Sequence, residues 1–116
     1  MRRLVFPLLA LLATPASAEL RCGWYANPTP GNHWLTDRDA TWVLSTQGGP
    51  QAPGWDTLPA NAFEFGDGWV ETNGSYGYGC ACVEGRFRLP DAVLHVDGMH
   101  PLPLSRCEID PALKGG

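Results

Sequence analysis

The run NGSYGYGCACV, residues 73–83, decides the reading of the fold. Its even positions carry Tyr76, Tyr78, Cys80 and Cys82, and its odd positions carry Gly77, Gly79, Ala81 and Val83. A strand sends alternate side chains to opposite faces, so this segment has one aromatic, cysteine-bearing face and one nearly bare face. Glycines on alternate strand positions mark close approach by another backbone or a flat ring, here a tryptophan from a facing segment. A competing reading makes the bare face a groove for an extended ligand. Gly77→Val would then abolish binding and leave the melting temperature unchanged.

Outward from this strand, Cys80 and Cys82 join Cys22 and Cys107 in an even set of four. In an exported chain such a set is expected to form two disulfides. Cys80 with Cys82 would close a strained small ring, because both point to one face. Two pairings remain, Cys22–Cys80 with Cys82–Cys107, or Cys22–Cys82 with Cys80–Cys107, and either ties both chain ends to the central strand. The rival chemistry is a soft metal site of Cys80, Cys82, His95, Met99 and His100. Cys-x-Cys without a second tight pair argues against it, so no metal and no cofactor is expected. His95 and His100, beside Gly98 and Pro101, are assigned to a turn between strands.

Further β-rich runs lie at Arg21–Tyr25, Thr41–Thr46, Gly68–Thr72, Gly79–Leu89 and Ala92–Val96, separated by turn signals. Pro90 and Asp91 are a short enough link to make a hairpin of Cys80–Val96. No window holds a sustained 3.6 periodicity, so helix should be scarce. The expected fold is mainly β, a small single-domain antiparallel sandwich or barrel with long Pro/Gly-rich loops and two disulfides. The loops are Asn27–Asp37 and Gln47–Ala62, and they carry Trp34 and Trp55. Each tryptophan either plugs the core or offers a binding surface.

At the N-terminus Arg2 and Arg3 precede an apolar run from Leu4 to Ala13, followed by Ala16-Ser17-Ala18. That is the pattern of a cleaved signal peptide over residues 1–18, and the run is too short to span a bilayer. The domain proper is then 19–116, periplasmic or secreted, with no membrane span after cleavage. Cleavage would remove two of the eight basic residues and no acidic one, taking the formal charge from -4 to -6. An acidic chain without a basic patch excludes nucleic acid as the expected partner. At 116 residues it is also too short for dinucleotide or barrel enzymes. Leu, Val, Ile and Phe make up under a fifth of residues 19–116, so five Trp and three Tyr must supply much of the core.

Several catalytic motifs fail on inspection. Asp37, Asp39 and Thr41 spell the phosphatase string D-x-D-x-T, without room for that fold. As a calcium loop they would need glycine where Trp42 stands and glutamate where Gly48 stands. These carboxylates suit a polar turn that accepts backbone hydrogen bonds. Ser45, Ser75 and Ser105 with His33, His95 or His100 sit in no nucleophile elbow. Asp56, Glu64, Asp67 and Glu71 could supply a glycosidase carboxylate pair, as could the acids of any acidic chain.

The strings RCGWYANPTPGNHWLTDRDATW, STQGGPQAPGWD, NGSYGYGCACV and LPLSRC together resemble a family of small exported proteobacterial proteins, filed as domain of unknown function four-zero-eight-seven. The resemblance covers nearly all of residues 19–116. It implies a periplasmic or secreted cysteine-tied domain and brings no activity and no site residues. The expected function is a non-enzymatic binding or interaction domain meeting a protein or glycan partner in the periplasm. Trp34, Trp55, Tyr76, Tyr78 and Asp37 are its candidate contacts, with no catalytic residue assigned. The alternatives are an inhibitor of lysozyme-like cell-wall lytic enzymes, a thiolate/His metal-handling module and a small glycan hydrolase.

Overall fold

A computed structural model describes residues 18–113. Apart from Ala18, the expected signal peptide lies outside the described residues. Six strands follow in order: β1 (Glu19–Thr29), β2 (Asn32–Thr36), β3 (Thr41–Ser45), β4 (Val70–Asn73), β5 (Tyr76–Arg88) and β6 (Ala92–Leu102). After them comes one short helix, α1 (Leu104–Glu108). All strand pairs are antiparallel, in one sheet of order β3-β2-β1-β5-β4, with β6 also on β5. The sheet curls into a half-barrel, the barrel form of the expected architecture.

β5 is the central strand. Its first residues pair with β4 and its later ones with β6, while its other edge pairs with β1 from Gly77 to Gly85. The β5–β6 hairpin contains the expected Cys80–Val96 segment and extends beyond it. His95 and His100 therefore lie within β6 and not in a turn: β-pairing runs on through Gly98 and Pro101 to Leu102. The supposed loop Asn27–Asp37 is also corrected, since it holds the end of β1 and all of β2. Pro30-Gly31 makes the tight turn between them, with Gly31 at a φ of 77°. Asn27 Nδ2 steadies the turn by donating to the carbonyls of Thr29 and Asn32, at 2.9 and 2.8 Å. The second loop remains largely irregular, with 3-10 turns at Trp55–Thr57 and Ala60–Phe63.

The concave face holds the main core: Tyr25, Leu35, Trp42, Leu44, Trp55, Ala81, Val83, Val96 and Met99. A curled open sheet leaves a seam between its last strands, and here residues 50–53 close it. Ala52 N–H donates to Leu44 of β3 and Val96 N–H of β6 donates to Pro53, both at 2.8 Å. Gly54, at a φ of 90°, then turns the chain inward, where any side chain would collide with the Val96 carbonyl. Trp55 follows directly and is buried.

The convex face of β5 carries the cross-links. Cys22 and Cys82 are directly opposed on β1 and β5 and form one disulfide. Cys80 bonds Cys107 of α1. Of the two pairings left open by sequence, the second is therefore present, and no cysteine is free among the described residues. Cys80, Cys107 and Leu113 form a second small core with Trp24 and Leu102, and Trp24 Nε1 donates to the Leu113 carbonyl at 3.1 Å.

The bare face of β5 is not an open groove. A side-chain carbon on Gly77 would strike the Val70 carbonyl, and one on Gly79 would lie 2.6 Å from the Phe65 ring. Gly77 is thus approached by the β4 backbone, and the flat ring on Gly79 is a phenylalanine and not a tryptophan. Gly77→Val is expected to damage the fold and cannot report on a ligand. Gly79→Ala should destabilise by about 1–3 kcal/mol, the usual cost of overpacking, as Phe65 is pushed outward. Urea denaturation checks this, and an unchanged midpoint would contradict the close packing.

Candidate aromatic cleft

The concave face of β1 runs from Arg21 to Asn27, and its two ends differ in chemistry. At the first end Arg21 lies over the Trp42 and Phe87 rings, 4.5 and 5.5 Å from their centroids. Its nitrogens meet Glu19, Asp37 and Asp39 at 2.9, 3.0 and 2.8 Å. Asp37 also accepts the backbone N–H groups of Asp39 and Ala40, at 2.8 and 3.0 Å, closing the β2–β3 turn. Burial alone would raise the Asp37 pKa, but these hydrogen bonds outweigh it and hold the carboxyl below its ordinary value.

The other end is an open cleft of about 580 Å³, lined by Tyr25, Asn27, Phe63, Glu64, Phe65, Gly66, Trp69, Glu71 and Ser75. Tyr25 forms its floor, because β1 turns this residue to the concave side. Phe65 stacks on Tyr25, with ring centroids 5.4 Å apart and planes within 7°. Trp69 leans on both, at 5.9 and 5.0 Å, and its Nε1 donates to the Ser75 carbonyl at 3.0 Å. Behind the floor, Trp55 packs on His33, centroids 4.9 Å apart, and on Phe63 at 5.5 Å. Phe63 stays 40% exposed at the rim.

Tyr25 Oη and His33 Nδ1 are 2.6 Å apart. β1 and β2 pair with Tyr25 opposite Leu35, so His33 is the diagonal neighbour on the same face. Burial pushes the Tyr25 phenol well up and the His33 imidazole down, since each charged form would lose its water. Both groups are thus held neutral, and one hydrogen is shared between Oη and Nδ1.

The sequence-predicted contacts do not converge here. Trp55 is a core plug behind the cleft, and Asp37 belongs to the Arg21 cluster. Trp34 is half-buried on the convex face, opposite Ala26 and Val43. Tyr78 packs edge-on against Trp24 on that face, and Tyr76 pairs with Asn73 beside the β4–β5 turn. Of the carboxylates considered for hydrolysis, Glu64 and Glu71 do share the cleft. The metal alternative is overturned, because Cys80 and Cys82 are both in disulfides. His95 lies 2.8 Å from Asp97, and His100 lies 3.3 Å from Glu84. Sequence reasoning missed Tyr25, Phe63, Phe65 and Trp69, and considered His33 only as a catalytic base. The alternation of Phe63 and Phe65 around Glu64 was the available signal.

Residues 16–114 match the family described as Protein of unknown function (DUF4087), and the chain belongs to it. No curated protein and no solved structure matches. No helix among the described residues is long and apolar enough to cross a membrane. Two disulfides fit an oxidising environment outside the cytosol.

Two outcomes test these clusters. Asp37→Asn should cost about 1–3 kcal/mol of stability, because a buried hydrogen-bonded charge is lost. With Asp37 depressed in the fold, that contribution is present above its unfolded pKa of about 3.9 and fades as the pH falls through its folded value. His33 has the opposite charge type. Its folded pKa is lowered, so stability is full above about pH 6.5 and declines as the pH drops below that value. Urea titrations at neutral and mildly acidic pH should show this slope in the wild type and a shallower one in His33→Gln.

Proposed function

We propose that this member of the DUF4087 family is a non-enzymatic binding domain of the periplasm or the cell exterior, and that its partner seats on the Tyr25–Phe65–Trp69 cleft. The observation that carries the reading is the cleft itself: a concave, aromatic-walled site with a few polar groups at its rim is the usual form of a recognition site. Its walls are fixed in advance. Phe65 is wedged between Tyr25 and Gly79 of β5, and Trp69 is tied to Ser75. Fixed aromatic surfaces lose little conformational freedom on binding. The chemistry of the floor also favours binding over catalysis, since the Tyr25 phenol is shifted away from the ionised form that a nucleophile or base would need.

A more specific form of the same reading is inhibition of a basic lysozyme. It is favoured by the excess of acidic residues, twelve against eight basic ones. A cell-wall lysis assay with lysozyme and an excess of the chain is the direct measurement of that form.

The general test is capture from the periplasmic extract of the bacterium that exports the chain, using wild type and Phe63→Ala side by side. Phe63 is exposed at the rim, so its truncation should leave the fold intact. Retention of a partner by the wild type, reduced about fivefold or more by Phe63→Ala, is the expected result. Equal retention by both would remove the cleft as the contact face. Turnover of peptidoglycan by the purified chain, lost in Glu64→Gln or Glu71→Gln with the fold intact, would replace binding by hydrolysis.

A further inference from the structure

Resting on the reading of the cleft as a contact face, we infer that its occupant is the side chain of an arginine presented by a basic protein partner. Both amide hydrogens of Asn27 are spent on the carbonyls of Thr29 and Asn32, which fixes its Oδ1 as an acceptor. The indole N–H of Trp69 is spent on Ser75, leaving only the π-face. The Tyr25 hydroxyl is engaged by His33. Glu64 and Glu71 accept only, and among the described residues neither has a basic side chain within 4.0 Å, as the pairs at Arg21, His95 and His100 use other carboxylates. The Ser75 hydroxyl can act either way. The cleft therefore offers mainly π-faces and acceptors, with the side-chain N–H donors of Asn27 and Trp69 already committed.

A group that complements such a site must donate without accepting, and it must tolerate an aromatic face. Lysine and arginine are the side chains that only donate. Arginine adds a planar guanidinium that stacks on rings and holds less tightly to water. The chain itself contains this solution. Arg21 lies over Trp42 and Phe87 and is ringed by Glu19, Asp37 and Asp39. From Tyr25, four residues along β1, the cleft repeats the ingredients, rings with carboxylates, and no cation pairs with them among the described residues. Charge complementarity extends beyond the rim: from residue 40 to residue 83 the chain carries Asp56, Glu64, Asp67 and Glu71 and no Lys, Arg or His. That field draws a basic surface toward the mouth.

The test uses the full mature chain and N-acetyl-arginine amide, whose neutral ends leave the guanidinium as its one charge. The neutral isostere N-acetyl-citrulline amide is the control. NMR follows the Trp69 indole N–H and the rings of Tyr25 and Phe65. The arginine probe is expected to move these signals saturably and the citrulline probe to bind about tenfold more weakly or worse. Glu64→Gln and Glu71→Gln, both at exposed positions, should each weaken the arginine probe about three- to tenfold without changing stability. Equal binding of the two probes would overturn the arginine assignment and leave the cleft as a contact face for a neutral group. A stronger response to N-acetyl-lysine amide would overturn it in favour of an ammonium. No movement of the cleft signals with any probe would overturn it as well, and partner capture sensitive to Phe63→Ala would then still stand as a separate result.

Discussion

The structure depends on β5 having two unlike faces. Cys80 and Cys82 point outward, where one meets Cys22 of β1 and the other Cys107 of α1. Those two bonds tie the first strand and the C-terminal segment to the same three residues of the central strand. Each closes a long stretch of chain, 60 and 27 residues in separation, so each removes much of the unfolded chain's freedom. The inward face of β5 does the reverse work. With glycine at 77, 79 and 85 it has little side chain of its own and lets β4, Phe65 and the β6 backbone come close. A chain of this size with few aliphatic residues gains its core from that closeness, because rings packed on bare backbone fill volume that Leu and Val would otherwise occupy.

How far this was legible follows from the same two faces. Period-two alternation with cysteines on one side made β5 and the β5–β6 hairpin readable, and the even cysteine count made two disulfides readable. The pairing was not, because Cys80 and Cys82 are equivalent until the register of β1 is known. Trp24 opposite Cys80 and Cys22 opposite Cys82 settle it. β2 was hidden by its flanks: NPTPGN reads as a loop, although Pro30-Gly31 is also the signature of a tight turn between paired strands. That omission concealed the site. Once β2 is paired with β1, Tyr25 and His33 become diagonal neighbours, and the floor of the cleft could be written down from register alone.

The tryptophans show a second reason for limits. Trp34 and Trp55 both sat in segments rich in proline and glycine, and their sequence surroundings gave no ground for separating them. The separation is geometric. Trp34 falls on the convex face of a strand, while Trp55 follows Gly54, whose left-handed backbone turns the chain under β6. Burial of Trp55 then supports His33 and Phe63 from behind. A residue that reads as a loop contact is in fact packed behind the cleft, against His33 and Phe63.

A curled sheet must do something with the apolar residues at its two ends, and this chain treats them differently. Near Arg21 the aromatic end is closed by the protein's own guanidinium, and three carboxylates neutralise it. Near Tyr25 the rings are left open, with carboxylates beside them and the N–H donors of Asn27 and Trp69 already spent. Leaving rings open costs stability in water, since apolar area that could be buried is not. Placing Glu64 and Glu71 there without a paired cation among the described residues adds unbalanced charge to a chain that is already acidic. Filling the cleft with one more aliphatic side chain would have removed the first cost, and pairing the glutamates internally the second. Neither is found among the described residues, while the N–H donors of Asn27 and Trp69 are tied off. That combination serves folding poorly, and it is the ground on which the proposed capture of an external cation by the cleft, and not by a tryptophan-bearing loop, rests.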